Sequence, residues 1–486
     1  MNTGFITTEV FPFAKVGGLG DVSSALPLAL KSLKEEVTIF MPLYSSINKK
    51  VHKIRKYGHW KTLDIAIGDK SYSVDLFRTK LDKKVNVLFI SNEELFNRSG
   101  LYTDENGQAF EDNHIRDIFF SKATLEVIKA LDLKLDILHL NDSHTALVAP
   151  YLKLVYNEEA VFENTKTVLT IHNIGAAYQG ICEAVEIERA GFSYDLHYLG
   201  GPLEFYGKFN FLKAGIVYAD MITTVSPKYA QEIQTPLFGE GLDGLLVENS
   251  HKLVGILNGI DTDVWNPKTD KLIEQTFTLK TIKKGKTANK KAILKEFGLK
   301  NIKKPLVSMI SRLTTQKGFD LLTEVAEDLS KLKVNVVILG TGEKNHEKML
   351  SSLMERFPET FSIKFEYNDK LAHLIEAGSD MFLMPSKYEP CGLNQMYSLA
   401  YGTVPVVKAV GGLDDTIIDV SEKGANGFKF TEHSSTELLG TLKSAVKLFN
   451  DDKKAFTALM KAGLKTDLSW KSSAKEYVKI YKNLHK

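Results

Sequence analysis

The chain has 486 residues, more than one ordinary hydrophobic core accommodates, so we expect two domains. Hydrophobic residues make up 43% of it and charged residues 25%, as in ordinary globular proteins, and the net charge of +2 argues against nucleic-acid binding. The only cysteines, Cys182 and Cys391, are far apart in sequence, which excludes a disulfide framework and the common zinc-binding spacings. A reducing compartment is therefore favoured.

The chain begins without the basic and apolar regions of a signal peptide, and a predicted strand starts almost at once. No run of about 18 apolar residues, the length that suggests a membrane span, occurs. We therefore expect a cytoplasmic protein that does not contact a membrane.

Short apolar runs alternate with longer helical patterns along the chain. The strands predicted in the first half cover residues 4–10, 37–42, 86–90, 136–140, 168–172 and 221–226. Those predicted in the second half cover residues 306–310, 334–340, 361–367, 381–386 and 404–408. Helical patterns lie between most of them, for example at residues 22–34, 319–331 and 343–356. The alternation predicts two doubly wound α/β domains, each with a parallel sheet covered by helices on both faces.

A lysine-rich stretch at residues 266–304 separates the two halves. It lacks a strong apolar period, and we interpret it as a solvated hinge rather than as a functional basic patch.

The first candidate site residues follow the first predicted strand, in the loop KVGGLGD at residues 15–21. Ligands of open α/β sheets bind beyond the carboxyl ends of strands. Gly17 and Gly18 would let the backbone approach a ligand, while Lys15 and a helix N-terminus would attract an anion. The alternative is a tight turn in which Asp21 caps the helix. The loop fits neither GxGxxG nor GxxxxGK[ST], which argues against a dehydrogenase.

Polar residues also follow two later strands of the first half. His139, Asp142 and His144 could bind sugar hydroxyls or a metal, although helix capping or a core histidine explains such a cluster more simply. His172 and Asn173 end the next apolar strand. Two adjacent polar side chains there predict a function, because unsatisfied buried polar groups are costly, with an internal hydrogen-bond network as the alternative.

In the second half, Arg312 and Lys317 follow the strand at residues 306–310. A guanidinium fork and a compact ammonium charge together suit a phosphate, although a solvated surface pair is possible. Glu389 lies on a loop that precedes a helix, where it could also simply compensate the helix dipole. Cys391 is interpreted as a packed small residue rather than as a nucleophile.

These residues lie in longer motifs that resemble the family of bacterial glycogen synthases and plant starch synthases. The similarity runs along almost the whole chain, through KVGGLGDV, TIHNI, TVSPKYAQEIQTPLFGEGLDGLL, GILNGIDTDVWNP, SRLTTQKGFDLL, EPCGLNQMYSLAYGTVPVV and GGLDDTI. The order and spacing of the motifs also agree with that family.

The resemblance implies a GT-B fold, two Rossmann-like domains with the active site in the cleft between them. The expected domains are residues 1–255 and 256–470, with a final helix, residues 471–486, that crosses back to the first domain. The implied reaction transfers α-glucose, with retention, from ADP-glucose to the non-reducing end of an α-1,4-glucan and releases ADP. No metal or other cofactor and no nucleic-acid partner are expected.

The resemblance also implies roles for individual residues. The loop after the first strand would contact the donor, the polar residues of the two later strand ends would hold the transferred glucose, and the two cations would grip the diphosphate. Glu389 and three backbone N–H groups would complete the donor-sugar site. The residues so assigned are Asp142, His172, Arg312, Lys317 and Glu389 in catalysis, and Lys15, Gly17, Gly18, Asp21, Asn173, Cys391, Gly392 and Leu393 in substrate binding.

The sequence departs from the family pattern at several positions. The usual His-Asp-Trp-His has Asn141 and Ser143 in place of its first histidine and its tryptophan. Phe96 stands where a tyrosine near the acceptor is usual, and Asn394 where a threonine is usual. Tyr397 stands where the wider GT-B class has a second glutamate, as is common in this branch of the class.

Two alternatives to an ADP-glucose-dependent synthase stay open. The phosphate binders recognise a diphosphate and not its base, so a GT-B enzyme that uses UDP-glucose or another acceptor is possible. The departures give slight support to an inactive glucan-binding relative, against which the intact phosphate-binding residues argue.

Overall fold

The computed structural model describes residues 1–486, which form two compact units. The first unit combines Met1–Asn258 with Trp470–Lys486, and the second is Gly259–Ser469. The strands of the first unit are β1 (Asn2–Ile6), β2 (Glu36–Pro42), β3 (Arg55–Lys56), β4 (Leu63–Ile67), β5 (Lys70–Leu81), β6 (Val85–Ser91), β7 (Ile137–Asn141), β8 (Lys166–Ile171), β9 (Ile181–Cys182), β10 (Glu204–Phe205), β11 (Lys208–Asn210), β12 (Met221–Thr224) and β13 (Leu253–Gly255). Its helices up to Asn258 are α1 (Gly18–Ser32), α2 (Glu93–Phe96), α3 (Asn113–Ala130), α4 (Ser143–Ala146), α5 (Val148–Leu154), α6 (Glu186–Ala190), α7 (Phe211–Tyr218), α8 (Pro227–Glu232) and α9 (Asp243–Glu248).

The large sheet of the first unit has the strand order β13-β12-β8-β7-β1-β2-β6-β5-β3, with β4 also paired to β5. The strands from β13 to β6 are parallel, as predicted. Along the chain the sheet first grows from β1 through β2 to β6 and then, on the other side of β1, through β7, β8 and β12. The strand order therefore reverses between β1 and β7. A second, small sheet has the order β10-β11-β9.

One edge of the large sheet is antiparallel, which the sequence did not predict. β5 pairs antiparallel with β6, and β3 and β4 pair antiparallel with β5. β5 alternates buried and exposed residues over much of its length, so it has no continuous apolar run. Strands half exposed at a sheet edge carry such mixed sequences, whereas strands buried on both faces are apolar throughout.

The second unit contains one parallel sheet of six strands. These are β14 (Leu306–Ile310), β15 (Asn335–Leu339), β16 (Phe361–Lys364), β17 (Met381–Met384), β18 (Val404–Lys408) and β19 (Phe428–Phe430). Its helices are α10 (Ile282–Glu296), α11 (Phe319–Glu324), α12 (Ala326–Lys331), α13 (Lys344–Arg356), α14 (Asp369–Gly378), α15 (Asn394–Ala400), α16 (Gly411–Thr416), α17 (Ser435–Asp451) and α18 (Lys453–Gly463). The strand order is β16-β15-β14-β17-β18-β19, so it reverses between β14 and β17. The chain ends in α19 (Trp470–Asn483), which packs against α1 of the first unit.

Helices cover both faces of the second sheet, as its apolar strands predicted. Successive residues of a strand point to opposite faces. In β15, Val336 and Ile338 belong to one hydrophobic cluster, while Val337 and Leu339 belong to another. Both faces of the central strands are thus buried, and the strand ends are left as the positions where polar side chains can meet a ligand.

The prediction of a solvated hinge at residues 266–304 is wrong. Helix α10 lies inside this stretch, and its buried positions recur at helical spacing, with Ile282, Gly285, Asn289 and Ile293 among them. Buried lysines hide this pattern in the sequence, because a lysine can bury its aliphatic stem while its charged end finds a partner.

Lys290 is the lysine with the clearest partner. It is 5% exposed, and its Nζ lies 2.6 Å from Oδ2 of Asp380, which also accepts a hydrogen bond from the amide of Leu306 at 2.8 Å. This ion pair fixes α10 to the start of β14 and to the residue before β17.

None of the helices combines the length and the apolar character that crossing a bilayer would require.

Replacing Lys290 with methionine is expected to lower the free energy of unfolding of the second unit by about 3–5 kcal/mol, because Asp380 would keep a buried charge without its partner. Lys291→Met is the matched control, since the adjacent lysine is exposed, and it should change stability by less than about 0.5 kcal/mol. Urea unfolding followed by circular dichroism measures both. Equal stability of the two variants would contradict this role for the ion pair.

Candidate active site

Most of the predicted site residues lie where the strand order of each sheet reverses, while His172 and Asn173 follow β8, the neighbour of β7. In the first unit, the loop at residues 15–21 follows β1 and Asp142 follows β7. In the second unit, Arg312 and Lys317 follow β14, and Glu389 follows β17. A reversal of strand order leaves a crevice at the carboxyl ends of the two strands that flank it, because their connections leave in opposite directions. Each unit therefore brings its own predicted residues together.

The glycine loop opens α1, as predicted, and is anchored by a carboxylate that the sequence analysis missed. Glu9 is 4% exposed, and its Oε2 accepts hydrogen bonds from the amides of Val16 at 2.7 Å and Gly17 at 3.0 Å. The amide of Gly17 is therefore already satisfied within the protein. A Cβ at Gly17 or Gly18 would meet no atom within 4 Å, so packing does not require either glycine. The open space above the loop suits the close approach of a ligand.

Lys15 and Asp21 form an ion pair at 2.7 Å, and each side chain is more than one-third exposed. The alternative in which Asp21 caps the helix is wrong: Gly17 is the N-cap residue, and Asp21 lies in the first turn of α1. Exposed ion pairs contribute little free energy, so Lys15 can exchange this partner for an anionic ligand at small cost.

Asp142 connects the ends of β7 and β8. Its backbone has φ 55° and ψ −174°, a region that non-glycine residues rarely occupy and that costs about 1–3 kcal/mol. Its Oδ1 accepts a hydrogen bond from the amide of His172 at 2.7 Å. Burial raises the pKa of Asp142 to about 7, although hydrogen bonds from the amides of His172 and Asn173 oppose the shift. Near neutral pH the carboxyl group can therefore either donate or accept a hydrogen bond.

His172 is oriented by Asn141, one of the departures from the family pattern. The side-chain amide of Asn141 donates to the carbonyl of Ile6 at 2.9 Å, so its Oδ1 faces His172 Nε2, also at 2.9 Å. Nε2 must then carry the proton, which leaves Nδ1 as an acceptor. Burial lowers the pKa of His172 to about 4, so the ring is neutral near pH 7. Asn141, a departure from the family pattern, thus positions the ring of His172.

The other two histidines of this region differ in their surroundings. His139 is fully buried, and its two ring nitrogens lie 2.6 Å from the hydroxyls of Tyr481 and Thr170. It is a core histidine, which was the simpler interpretation. The ring of His144 lies 4.8 Å from that of Tyr102, and its Nδ1 has no hydrogen-bond partner. The chain contains no group of three or more histidine, cysteine, aspartate or glutamate side chains placed to hold a metal ion.

The remaining departures of the first unit lie in the interior. Phe96 is 2% exposed and packs edge-on against Tyr44, with ring centroids 5.8 Å apart. It belongs to the aromatic core of this unit, so a hydroxyl at position 96 would point into that core. Ser143, in place of the family's tryptophan, is 2% exposed at the start of α4.

In the second unit an ion pair connects the loops after β14 and β17. Lys317 Nζ lies 2.7 Å from Oε2 of Glu389, and the side chains are 15% and 10% exposed. Ser386, which the sequence analysis missed, donates to the same oxygen at 3.0 Å. Gly318 has φ 73°, and a Cβ there would lie 2.1 Å from the carbonyl oxygen of Pro385, so only glycine allows the two loops to approach this closely.

A pocket of about 170 Å³ opens beside this ion pair, lined by residues that include Arg312, Lys317, Glu389 and Asn394. Arg312 is exposed, and its guanidinium donates no hydrogen bond within the protein. The pocket is smaller than the roughly 300 Å³ or more that usually encloses a drug-sized ligand. It therefore suits one part of a larger molecule, such as its phosphate groups.

The loop before α15 has the geometry of an anion-binding turn. Gly392 has φ 68°, and the amides of Gly392 and Leu393 donate no hydrogen bond to the protein. Cys391 is 6% exposed, as expected of a packed small residue. Asn394 donates from its side chain to the carbonyl of Ile310 and so fixes this loop to β14. Tyr397 stacks on Trp265 with ring centroids 3.8 Å apart, so its ring has a packing role.

Glu9 and Tyr102 are the residues that sequence reasoning missed most completely. The hydroxyl of Tyr102 donates to Oε1 of Glu9 at 3.0 Å and lies 2.6 Å from Oγ1 of Thr8. Glu9 follows the end of β1 and could have been found by the rule that located the glycine loop. Tyr102 lies about 90 residues further along the chain, in a loop without a local signal.

The pKa of Asp142, raised from 3.8 to about 7, predicts a pH-dependent stability. Between these values the folded state binds a proton that the unfolded state does not, so the free energy of unfolding falls as pH rises and levels off above about 7. Asp142→Asn removes this titration, so its melting temperature should rise relative to the unmodified protein between pH 4 and 7. Exposed Asp64→Asn is the control, and parallel curves for the two variants would contradict the raised pKa.

Comparisons with known proteins agree with this arrangement. A family model described as the starch synthase catalytic domain matches residues 3–248, and one described as glycosyl transferases group 1 matches residues 290–456. A glycogen synthase of Thermosipho melanesiensis is 43% identical over 485 residues, which cover 99% of this chain and 98% of the relative. A glycogen synthase of Thermotoga maritima is 42% identical over 490 residues, with the same coverage.

Among solved structures, the catalytic domain of starch synthase IV from Arabidopsis thaliana, bound to ADP and acarbose, superposes with a TM-score of 0.89. It is 31% identical and covers 100% of this chain and 99% of its own. The family resemblance and the GT-B fold predicted from the sequence are confirmed. The chain belongs to the family of glycogen synthases and starch synthases, and it is a glycosyltransferase.

Proposed function

We propose that the chain transfers α-glucose from ADP-glucose to the non-reducing 4-hydroxyl of an α-1,4-glucan, with retention, and releases ADP. The observation that carries this proposal is the cation-lined pocket beside the Lys317–Glu389 ion pair, at the reversal of strand order in the second unit. Further support comes from the ADP and acarbose named for the Arabidopsis relative, a nucleotide and a glucan-like oligosaccharide.

In this proposal the second unit binds the diphosphate. Arg312 has a free guanidinium, and its planar fork matches two phosphate oxygens. Lys317 adds a compact charge whose position is fixed by Glu389. The unbonded amides of Gly392 and Leu393 supply further donors. As the glucose–phosphate bond breaks, negative charge grows on the leaving diphosphate, and donors already in place stabilise it without reorganisation.

The first unit would hold the transferred glucose. Asp142 and neutral His172 offer a carboxyl group and a ring nitrogen acceptor, both suited to sugar hydroxyls, and Asn173 is their neighbour at the end of β8. Lys15 would contact the donor phosphates, and the open space at Gly17 and Gly18 would let the donor approach the loop closely. Asp21, the ion-pair partner of Lys15, would set the position of its charge before the donor binds.

Retention is assigned to attack by the acceptor hydroxyl on the same face of the sugar from which the diphosphate leaves. The leaving phosphate would take the proton of that hydroxyl, so one bond to C1 forms as the other breaks. Neutral His172 is a hydrogen-bonding group in this scheme rather than a general acid. The fixed cations supply the charge stabilisation, so we expect no metal or organic cofactor to be required.

The test measures ADP or UDP release with glycogen as acceptor and ADP-glucose or UDP-glucose as donor, at equal concentrations. We expect turnover that requires glycogen and is faster with ADP-glucose, and incorporation of α-linked glucose into the polymer. Faster release from UDP-glucose would favour the alternative GT-B enzyme, and glycogen binding without nucleotide release would favour the inactive relative.

Two lysine variants test the diphosphate site in the same assay. Lys317→Ala should reduce ADP release about a hundredfold or more, by analogy with the loss of one preorganised donor. Lys331→Ala removes an exposed lysine of α12 and should leave release unchanged. Circular dichroism checks that both variants fold. Full turnover by folded Lys317→Ala would contradict the assignment of this lysine to the diphosphate.

A further inference from the structure

A second cation-lined pocket lies in the first unit, at the antiparallel edge of the large sheet. It has a volume of about 500 Å³ and is formed by β2, β3, β5 and β6 together with the segment after α3. Four of its lining residues are basic, namely Lys53, Arg55, Arg78 and Lys80, and none is acidic. The roles proposed for Lys15, Asp142 and His172, beyond the carboxyl ends of β1, β7 and β8, do not involve this pocket.

The register of the strands explains why these cations share one face. Arg55 of β3 is directly opposite Arg78 of β5, and Arg78 is opposite Leu88 of β6. Two residues further along β5, Lys80 is opposite Asn86, which in turn is paired with Thr38 of β2. Directly paired residues point to the same face of a sheet, and residues two apart along a strand also do. Three cations therefore project from one face within two rows of the ladder.

These cations have no carboxylate partner. None of Lys53, Arg55, Arg78 and Lys80 forms an ion pair, and none donates a side-chain hydrogen bond within the protein. Arg78 lies 4.9 Å from the ring of Tyr57, which leaves its positive charge uncompensated. The neighbouring Lys56, which points to the opposite face, is by contrast paired with Asp75 at 3.0 Å.

Like charges directly opposite each other in an antiparallel ladder are destabilising. The Arg55–Arg78 pair therefore weakens the edge of the sheet when nothing lies between the two guanidinium groups. An anion with several oxygens would remove this repulsion, because two planar forks can share its oxygens in charge-assisted hydrogen bonds. The arginine pair thus lowers the stability of the sheet edge when no anion is bound, and a bound anion would raise it.

The other residues that line the pocket indicate a ligand larger than an inorganic ion. Leu88 and Leu133 supply apolar surface, while Thr38 and Asn86, in the same row of the ladder as Lys80, supply hydrogen-bonding groups. The pocket volume falls in the range of sites for small organic ligands, about 300–1,000 Å³. A phosphate group at the arginines and a sugar-sized hydroxylated body against the remaining walls would use both features.

We infer that this pocket is a binding site for a small sugar phosphate, separate from the donor-binding groups, with Arg55 and Arg78 as the principal phosphate ligands.

Titration calorimetry with fructose 6-phosphate, inorganic phosphate and neutral fructose tests this inference on the whole protein. We expect fructose 6-phosphate to bind more tightly than inorganic phosphate, fructose not to bind, and the affinity to fall as salt increases. Arg55→Gln and Arg78→Gln should each weaken binding at least tenfold. Lys56→Gln, which changes the paired lysine on the opposite face, should have no effect.

Thermal unfolding gives a readout that does not depend on detecting the binding heat. Without ligand, Arg55→Gln should melt no lower than the unmodified protein, because it removes a repulsion. The rise in melting temperature that fructose 6-phosphate produces in the unmodified protein should be absent in this variant. Lys317→Ala should keep both the binding and the rise in melting temperature, which separates this pocket from the proposed diphosphate site.

Several results would overturn the inference. These are no binding of fructose 6-phosphate, equal binding of inorganic phosphate or of fructose, unchanged affinity in Arg78→Gln, or loss of binding in Lys317→Ala. A failure of the proposed transferase reaction would leave all these outcomes unchanged, so the two proposals are tested independently.

Discussion

The reversal of strand order in each sheet is the constraint on which the proposed chemistry depends. A parallel sheet buries its strands on both faces, so polar side chains are tolerated mainly at the strand ends. Where the order reverses, the connections of two neighbouring strands leave in opposite directions and free the space beyond their carboxyl ends. The chain uses this position twice, between β1 and β7 and between β14 and β17.

At both positions a small polar network holds the candidate residues before any ligand arrives. In the second unit, Glu389 accepts from Lys317 and Ser386 and so fixes the ammonium group beside the pocket. In the first unit, Asn141 fixes the ring of His172. Donors that are already in place need not reorganise as charge develops, which is the main electrostatic advantage of an enzyme site over water.

Much of the fold could be predicted from the sequence because its strands are buried on both faces. Apolar runs such as β14 and β15 can be recognised without knowledge of their neighbours. The elements that were not predicted depend on their surroundings in the folded chain. Helix α10 was mistaken for a hinge because Lys290 finds its carboxylate in Asp380, 90 residues away. The antiparallel strand β5 was missed because half of its surface faces solvent and its sequence is mixed.

The candidate site also contains residues that the sequence indicates and residues that only the structure reveals. The candidate residues could be proposed from the sequence because each follows a predictable strand; they are the loop at residues 15–21, Asp142, His172, Arg312, Lys317 and Glu389. The residues that position them were missed or misjudged, because hydrogen bonds join segments that the sequence does not connect. Tyr102 hydrogen-bonds to Glu9 from a loop 93 residues away. The contact between Asn141 and His172 joins the ends of two different strands, 31 residues apart.

In the proposed reaction the strand-end loops of the second unit bind the diphosphate of the donor. Titration calorimetry of ADP and AMP on the protein and on a Lys317→Met, Glu389→Gln double variant tests it directly, since the double variant leaves no unpaired carboxylate. We expect ADP to bind at least about tenfold more weakly to the variant, the effect of losing a charged hydrogen bond, while AMP binding changes little. Unchanged ADP affinity in the folded variant would contradict it.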